Sequence, residues 1–207
     1  YTLSLHVALP ICLHELLDPR YPLWLAPRQA PGRSTGFDVV MVGRPEGLVC
    51  ADARLPARLV EEAVEQGRLA PFRGFRVKRR EPVCAGGRLD LLLERDGQPG
   101  GLCYVEAKSV TLVVDGVALF PDAPTLRGSR HLEALAGEVA RGHRAAVVFV
   151  VQRADARSFS PHLEADPAFA SALSGARARG VEVYAYRCRV SHRQIRLADP
   201  IPVVMVS

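Results

Sequence analysis

The chain predicts an α/β fold in which helices cover a mixed β-sheet. Three observations carry this expectation. From residue 55 onward, segments with a helical repeat of apolar residues alternate with shorter strand-like ones, in the order α-β-β-β-α-β-α-β. One segment, "AAVVFVV" at 145–151, has no polar alternation, as expected of a strand covered on both faces. The composition is that of a globular protein: 207 residues, 48% hydrophobic and 24% charged, enough for one good core with or without a small second module.

The elements follow in order. Residues 12–52 are rich in Pro and Gly, with short β-like runs "YPLWLAP" and "FDVVMVG" bounded by the turn-like "RQAPGRSTG" and "RPEG". At "LPARLVEEAVEQGRL" the period becomes helical: Leu59, Ala63 and Leu69 lie on one side, Glu61, Glu62 and Glu65 mostly opposite, and Gly67 sits near the end. Strands are expected at 75–80 ("FRVKRR"), 88–94 ("RLDLLLE") and 103–110 ("CYVEAKSV"). A second helix fits 125–141, with Thr125 as its N-cap and Leu132, Leu135, Ala136 and Val139 as its buried stripe. After the strand at 145–151, a helix around 166–179 and a strand at 181–187 complete the order.

Charge and cysteine usage narrow the setting. The net charge is +5 and the pI about 9.2, so a polyanion is a natural partner, although many basic proteins have none. Five cysteines at 12, 50, 84, 103 and 188 include no Cys-x-x-Cys pair. That pattern is neither a zinc site nor a disulfide framework, and it suits free thiols in a reducing cytoplasm. No apolar run reaches the roughly 18 residues of a membrane span, so no membrane partner is expected. The first residues, "TLSLHVALPI", look like one reading frame of a sequencing-adapter oligonucleotide. Residues 1–11 are therefore expected to be non-native, and the beginning of the natural chain to be missing.

The chemistry concentrates in two strands. Residues i and i+2 of a strand share a face, so Glu106 and Lys108 point the same way. The linker "RDGQPGG" favours direct antiparallel pairing of 88–94 with 103–110, which brings Asp90 within reach of Glu106 across a spacing of ~4.8 Å. Two such carboxylates repel and are costly to bury unpaired. A divalent cation removes the difficulty: Mg²⁺ takes one or two carboxylates, keeps several waters and leaves positions for phosphate oxygens. The Lys108 ammonium beside it can orient a water or stabilise charge on phosphorus, which is metal-assisted phosphodiester hydrolysis. The bland alternative is that Glu106–Lys108 is a solvent-facing ion pair and Asp90 a strand-end residue bonding a turn. The apolar flanks of "CYVEAKSVTLVV" weigh against a simple solvated edge.

Two further features point to a polyanion. In "FRVKRRE", Arg76, Lys78 and Arg80 are expected on one strand face as a positive stripe, with charge protection of an edge strand as the equal alternative. In "FPDAPTLRGSRHLEAL", Arg127 and His131 fall at i and i+4 on the first turns of a helix, whose N-terminus favours phosphate.

The segments "RLDLLLE", "YVEAKSVTL", "LFPDAPTLRGSRHLEAL" and "RAAVVFVVQR" resemble successive blocks of the sugar fermentation stimulation protein A family, from about Tyr21 to the C-terminus. The resemblance implies a PD-(D/E)xK nuclease-like mixed sheet flanked by helices at 53–207, preceded at 12–52 by the remnant of an OB-like β module. It also implies DNA binding and a regulatory role in sugar metabolism in bacteria; RNA is a second expected polyanion, and the paired carboxylates call for Mg²⁺ or Mn²⁺ as cofactor. Carried over by position, Asp90 is the motif's Asp, Glu106 and Lys108 its E-x-K, and Glu81 an acidic position before the Asp strand that would act as a third metal carboxylate. Asp122, Thr125, Arg127 and His131 match the block after the E-x-K strand. Arg76, Lys78, Arg80, Arg88, Thr125, Arg127 and His131 form the expected nucleic-acid-binding set. The family's Asn-Thr-Gly-containing front segment has no counterpart, Ala57 stands where the pattern suggests Asn, and Gly87 where it usually shows Ser. The function implied is a Mg²⁺-dependent nuclease. The alternative is a non-catalytic DNA-binding regulator of sugar (maltose) metabolism genes.

Overall fold

In a computed structural model the chain is described over residues 16, 18–28, 36–84, 87–97 and 100–205. The suspected adapter-derived segment 1–11 and most of the turn expected at 28–36 lie outside these. Along the chain come β1 (Leu23–Pro27), β2 (Phe37–Arg44), β3 (Gly47–Cys50), α1 (Leu55–Glu65), β4 (Phe75–Arg80), β5 (Val83–Cys84), β6 (Gly87–Arg88), β7 (Leu91–Arg95) and β8 (Leu102–Val110). Then follow β9 (Val113–Val114), β10 (Val117–Phe120), α2 (Leu126–Ala140), β11 (Arg144–Val151), β12 (Ser158–Pro161), α3 (Pro167–Ala178), β13 (Glu182–Val190) and β14 (Ile195–Pro200).

A six-stranded sheet in the order β14-β13-β11-β8-β7-β4 organises the molecule. Its three central strands, β8, β11 and β13, are parallel, and the flanking β7, β4 and β14 are antiparallel to their neighbours. The mixed sheet expected from the sequence is therefore present. Strand β11 is buried throughout its apolar run and divides its side chains between two cores. Ala145, Val147, Phe149 and Val151 pack with Leu132 and Leu135 of α2 and Phe169 and Leu173 of α3. Ala146, Val148 and Val150 pack on the other side with Leu59, Val60, Ala63 and Val64 of α1. Helices on both faces explain why this strand carries no polar alternation.

Strands β1–β3 form a separate three-stranded antiparallel sheet around Val39, Val42 and Val49. It is tied to the large sheet by Gln152, the first polar residue after the apolar run of β11. The fully buried Gln152 amide donates to the carbonyls of Cys50 (2.9 Å) and Asp52 (3.2 Å), and its oxygen accepts from Ser109 Oγ in β8 (2.7 Å). No described helix is long and apolar enough to cross a membrane.

Three local expectations need correction. The stretch 88–94 is not one strand: β6 ends at Arg88, β7 starts at Leu91, and Leu89 and Asp90 lie between. The ladder stops there because the Asp90 side chain replaces a main-chain acceptor, taking the Ala107 N–H at 2.8 Å. Secondly, the eight-element order omitted a second sheet, β12-β10-β9, whose two- to four-residue strands contain too little sequence to show a period. Thirdly, Arg76, Lys78 and Arg80 do not share one face. The β4–β7 register shifts between Val77 and Arg79, and this irregularity at Lys78 breaks the i, i+2 rule.

Candidate functional site

The two site strands pair as the linker suggested. Leu91 lies opposite Val105, which sets Asp90 opposite Glu106 at the mouth of the β7–β8 ladder. Strand β8 alternates regularly: Cys103 and Val105 enter the α1 core while Tyr104 and Val110 face α2. Glu106 and Lys108 consequently face α2, and α2 delivers His131 to them.

The start of α2 is fixed by caps. Thr125 Oγ1 accepts from Gly128 N (3.0 Å), and Thr125 N donates to Asp166 Oδ2 (2.8 Å). The other Asp166 oxygen caps α3 through Phe169 N (2.9 Å), so one buried carboxylate holds both helices. Gly128 is needed here: a Cβ would come within 2.7 Å of Thr125 Cγ2 and 3.1 Å of the Phe169 ring. Thr125 thus acts in the structure as a cap.

Glu106 is the centre of the cluster. Its side chain is 4% exposed, and its Oε1 accepts from Lys108 Nζ (2.6 Å) and from His131 Nδ1. Lys108 Nζ also lies 3.1 Å from His131 Nδ1. The Arg127 Nε is 3.5 Å from His131 Nε2, so an imidazole protonated on Nδ1 satisfies both neighbours, donating to Glu106 and accepting from Arg127. The other Glu106 oxygen, Oε2, is buried without a hydrogen-bond partner.

Electrostatics separate the two carboxylates. Burial, then the Glu106 charge, push Asp90 up to about 6, against the Ala107 N–H, Lys108 and His131. Burial also works against Glu106, but the His131 hydrogen bond and the Lys108 ammonium outweigh it and hold that carboxyl below its ordinary value. Glu106 is the fixed anion of the pair, and Asp90 is the one that protonates.

The remaining expected residues lie elsewhere. Glu81 approaches through its backbone, its N–H donating to the Asp90 carbonyl (2.8 Å), but its exposed carboxylate pairs with Arg88 Nη1 at 2.9 Å. Among the described residues no group of three His, Cys, Asp or Glu side chains is positioned to share a metal ion. Three of the four β4 cations are engaged by acids: Lys78 and Arg76 share Glu94 (2.7 and 3.4 Å), Arg76 also meets Asp96 (3.2 Å), and Arg80 turns to Glu61 of α1 (2.9 Å). His131, a residue the sequence singles out, contacts Glu106, a contact that its helical spacing from Arg127 does not announce. Sequence reasoning missed Gln152, which ties the small sheet to the large one; a polar residue closing a seven-residue apolar run is its signal. Burial pushes the Cys103 and Cys188 thiols up to about 12, so neither is a nucleophile.

Comparison with known proteins places this arrangement. Residues 54–194, more than half the chain, match the domain described as "Sugar fermentation stimulation protein RE domain". The chain belongs to the sugar fermentation stimulation protein family. A sugar fermentation stimulation protein homolog of Moorella thermoacetica is 48% identical over 192 residues, covering 92% of this chain and 82% of the relative. One of Chloroflexus aurantiacus is 46% identical over 193 residues, 92% and 73% of the two chains. Among solved structures, that of Pyrococcus furiosus SfsA in complex with Ca²⁺ superposes with a TM-score of 0.83 at 28% identity, covering 93% of this chain and 81% of that one. The six-stranded sheet with its three helices is thus the architecture of a family member whose solved form holds a divalent cation.

Proposed function

We propose that this family member is a Mg²⁺- or Mn²⁺-dependent nuclease of the PD-(D/E)xK kind, hydrolysing phosphodiester bonds in DNA or RNA, with β1–β3 as part of an OB-like module. One observation carries the reading: a buried carboxylate oxygen, Glu106 Oε2, has no partner and stands beside a second carboxylate, Asp90, that is hard to ionise without added positive charge. A pair of carboxylates fits Mg²⁺, which needs only one or two of them when waters and phosphate oxygens complete its sphere. Asp90 and Glu106 would hold the cation. Glu81 would join only by leaving Arg88. When bound, the cation supplies charge neutralisation at the phosphate and a more acidic water. The Ca²⁺ complex of the Pyrococcus furiosus relative supports a divalent site in this fold.

The chain's own groups then have separable tasks. Lys108, 2.6 Å from Glu106, holds an ammonium where charge develops on the phosphate oxygens. His131 fixes the Glu106 rotamer from behind, and Arg127, exposed at the start of α2, is free to turn toward phosphate. The second reading, a DNA-binding regulator of sugar-metabolism genes without catalysis, draws on the same contacts: the Lys108 ammonium is already occupied by Glu106.

The deciding experiment combines melting curves with Mg²⁺, Mn²⁺ and Ca²⁺ and cleavage assays on single- and double-stranded DNA and RNA. At one hundred times the dissociation constant the cation should add about 2.7 kcal/mol of stability. Asp90→Ala should lose that gain, and Lys108→Ala should keep it while losing cleavage. Metal stabilisation with no cleavage by the parent chain selects the regulator. No metal effect at millimolar concentration sinks both and leaves Glu106–Lys108 as a structural ion pair.

A further inference from the structure

We propose that the outer face of the β13–β14 hairpin, bearing Arg189, Arg193 and Arg196, grips the phosphate backbone of the nucleic acid; this rests on the nuclease reading above. The segment from Tyr186 to Pro200 contains four arginines and one carboxylate, Asp199. Its inner face is apolar: Tyr186, Cys188, Val190, Ile195 and Leu197 all join the α1 core. Alternation sends the arginines to the opposite side. In the ladder Arg189 lies directly opposite Arg196, a like-charge pair that destabilises an antiparallel sheet.

The surrounding charges do not relieve it. Asp199 is committed to Arg187 at 3.0 Å and reaches Arg189 only at 3.9 Å. Among the described residues no carboxylate pairs with Arg193 or Arg196, and both are exposed. Protection of the edge strand β14 does not explain the arrangement, because an opposite-charge pair would guard the edge without repulsion. A surface that places like charges face to face suits a polyanion that neutralises both. The tip is also anchored: His192 packs on Trp24 of β1 with ring centroids 4.9 Å apart.

Position fits the site. Lys108, Phe149 and Ala185 stand in register across β8, β11 and β13. Arg189 is four residues beyond Ala185 on the same face as Lys108, so the two Cα atoms are about 16 Å apart by strand rise and spacing. That is roughly half a turn of duplex, whose repeat is ~34 Å. One backbone can therefore reach both the candidate site and the hairpin. The β4 edge, with three of its four cations engaged by Glu94, Asp96 and Glu61, is the less suited basic surface.

The test is anisotropy of a labelled 20-base-pair DNA duplex with the full chain in EDTA, across a salt series. Arg189→Gln/Arg196→Gln should weaken binding about tenfold or more and lower the magnitude of the log K–log salt slope by about two units. Arg76→Gln/Lys78→Gln should stay within about twofold of the parent. Melting temperatures report folding, and the hairpin variant should melt no lower than the parent because a repulsion is removed. If it fails to fold, Arg193→Gln, at the turn and outside the ladder, carries the test with an expected slope change of about one unit. Parent-like binding and slope in the hairpin variant overturn this surface and leave the nucleic-acid reading standing. A parent chain that binds no duplex overturns both.

Discussion

Strands β8 and β4 each carry charges that the i, i+2 rule assigns to one face, and they end differently. In β8 the ladder is regular, Glu106 and Lys108 do share a face, and both side chains are nearly buried, at 4% and 11% exposed. In β4 the register slips at Lys78, Arg80 swings to the α1 side, and Arg76, Lys78 and Arg80 each find an acid at the solvent boundary. The same pattern yields a concentrated cluster in one strand and dispersed, neutralised charge in the other. What separates them is position in the sheet: a central strand is held by neighbours on both sides, whereas an edge strand has one and tolerates a bulge.

The largest effect should come from breaking the β8 cluster. Glu106→Ala leaves Lys108 beside His131 without its hydrogen-bonded anion in a nearly dry site, and such breaks of a buried pair cost about 3–5 kcal/mol. Urea unfolding measures it. Replacing both partners, as in Glu106→Leu/Lys108→Met, should recover most of the loss while abolishing any cleavage, because the desolvation of both charges is removed together. If Glu106→Ala alone costs under about 1 kcal/mol, the cluster behaves like a surface pair and the contrast with β4 disappears.

The next effect is a pH dependence centred on Asp90. Its folded pKa, about 6, lies above the ordinary aspartate value of 3.8. Between those values the folded chain binds more protons than the unfolded one, so metal-free stability should fall as pH rises from about 4 to about 6 and then level off. The shift corresponds to at most roughly 3 kcal/mol, less after solvent screening of this half-buried group. Asp90→Asn keeps an acceptor for the Ala107 N–H and removes the charge, so its stability should lack this slope. Melting curves at pH 4, 5, 6 and 7 decide the point, and identical slopes in both proteins would mean that Asp90 ionises without strain.

Much of this was legible in the sequence where burial and local chemistry agree. The unbroken apolar run at 145–151 announced a strand covered on both sides, and the Thr125 cap placed α2 to within a residue. The linker at 95–101 predicted the β7–β8 pairing that joins Asp90 to Glu106. Other features depend on partners distant in sequence. Nothing near "FRVKRRE" tells that Glu94 and Glu61 will arrive beside its cations, or that a bulge will turn Arg80 away. His131 showed its helical spacing from Arg127 but not that β8 lies beneath it. The strands Val113–Val114 and Ser158–Pro161 are too short, and the latter too rich in Ser and Pro, to show a period.

The smallest effect belongs to the β4 edge. Glu94 is served by two cations, Lys78 at 2.7 Å and Arg76 at 3.4 Å, so removing either leaves the other in place. The Lys78 side chain is 45% exposed, and its unpaired ammonium would return to water at little cost. Lys78→Gln should therefore move the melting temperature by about 1 °C or less, with the remaining dependence screened by salt. Arg80→Gln should do the same, since the Arg80 side chain is 74% exposed and the pair with Glu61 lies at the surface. A double-mutant cycle over Lys78 and Glu94 at low and high salt sharpens the comparison. Coupling that vanishes in salt marks a solvated edge. Coupling that persists and rivals the Glu106–Lys108 pair would mean that the edge strand is as dry as the centre, and the bulge would then have to be read as a device that builds a second buried cluster.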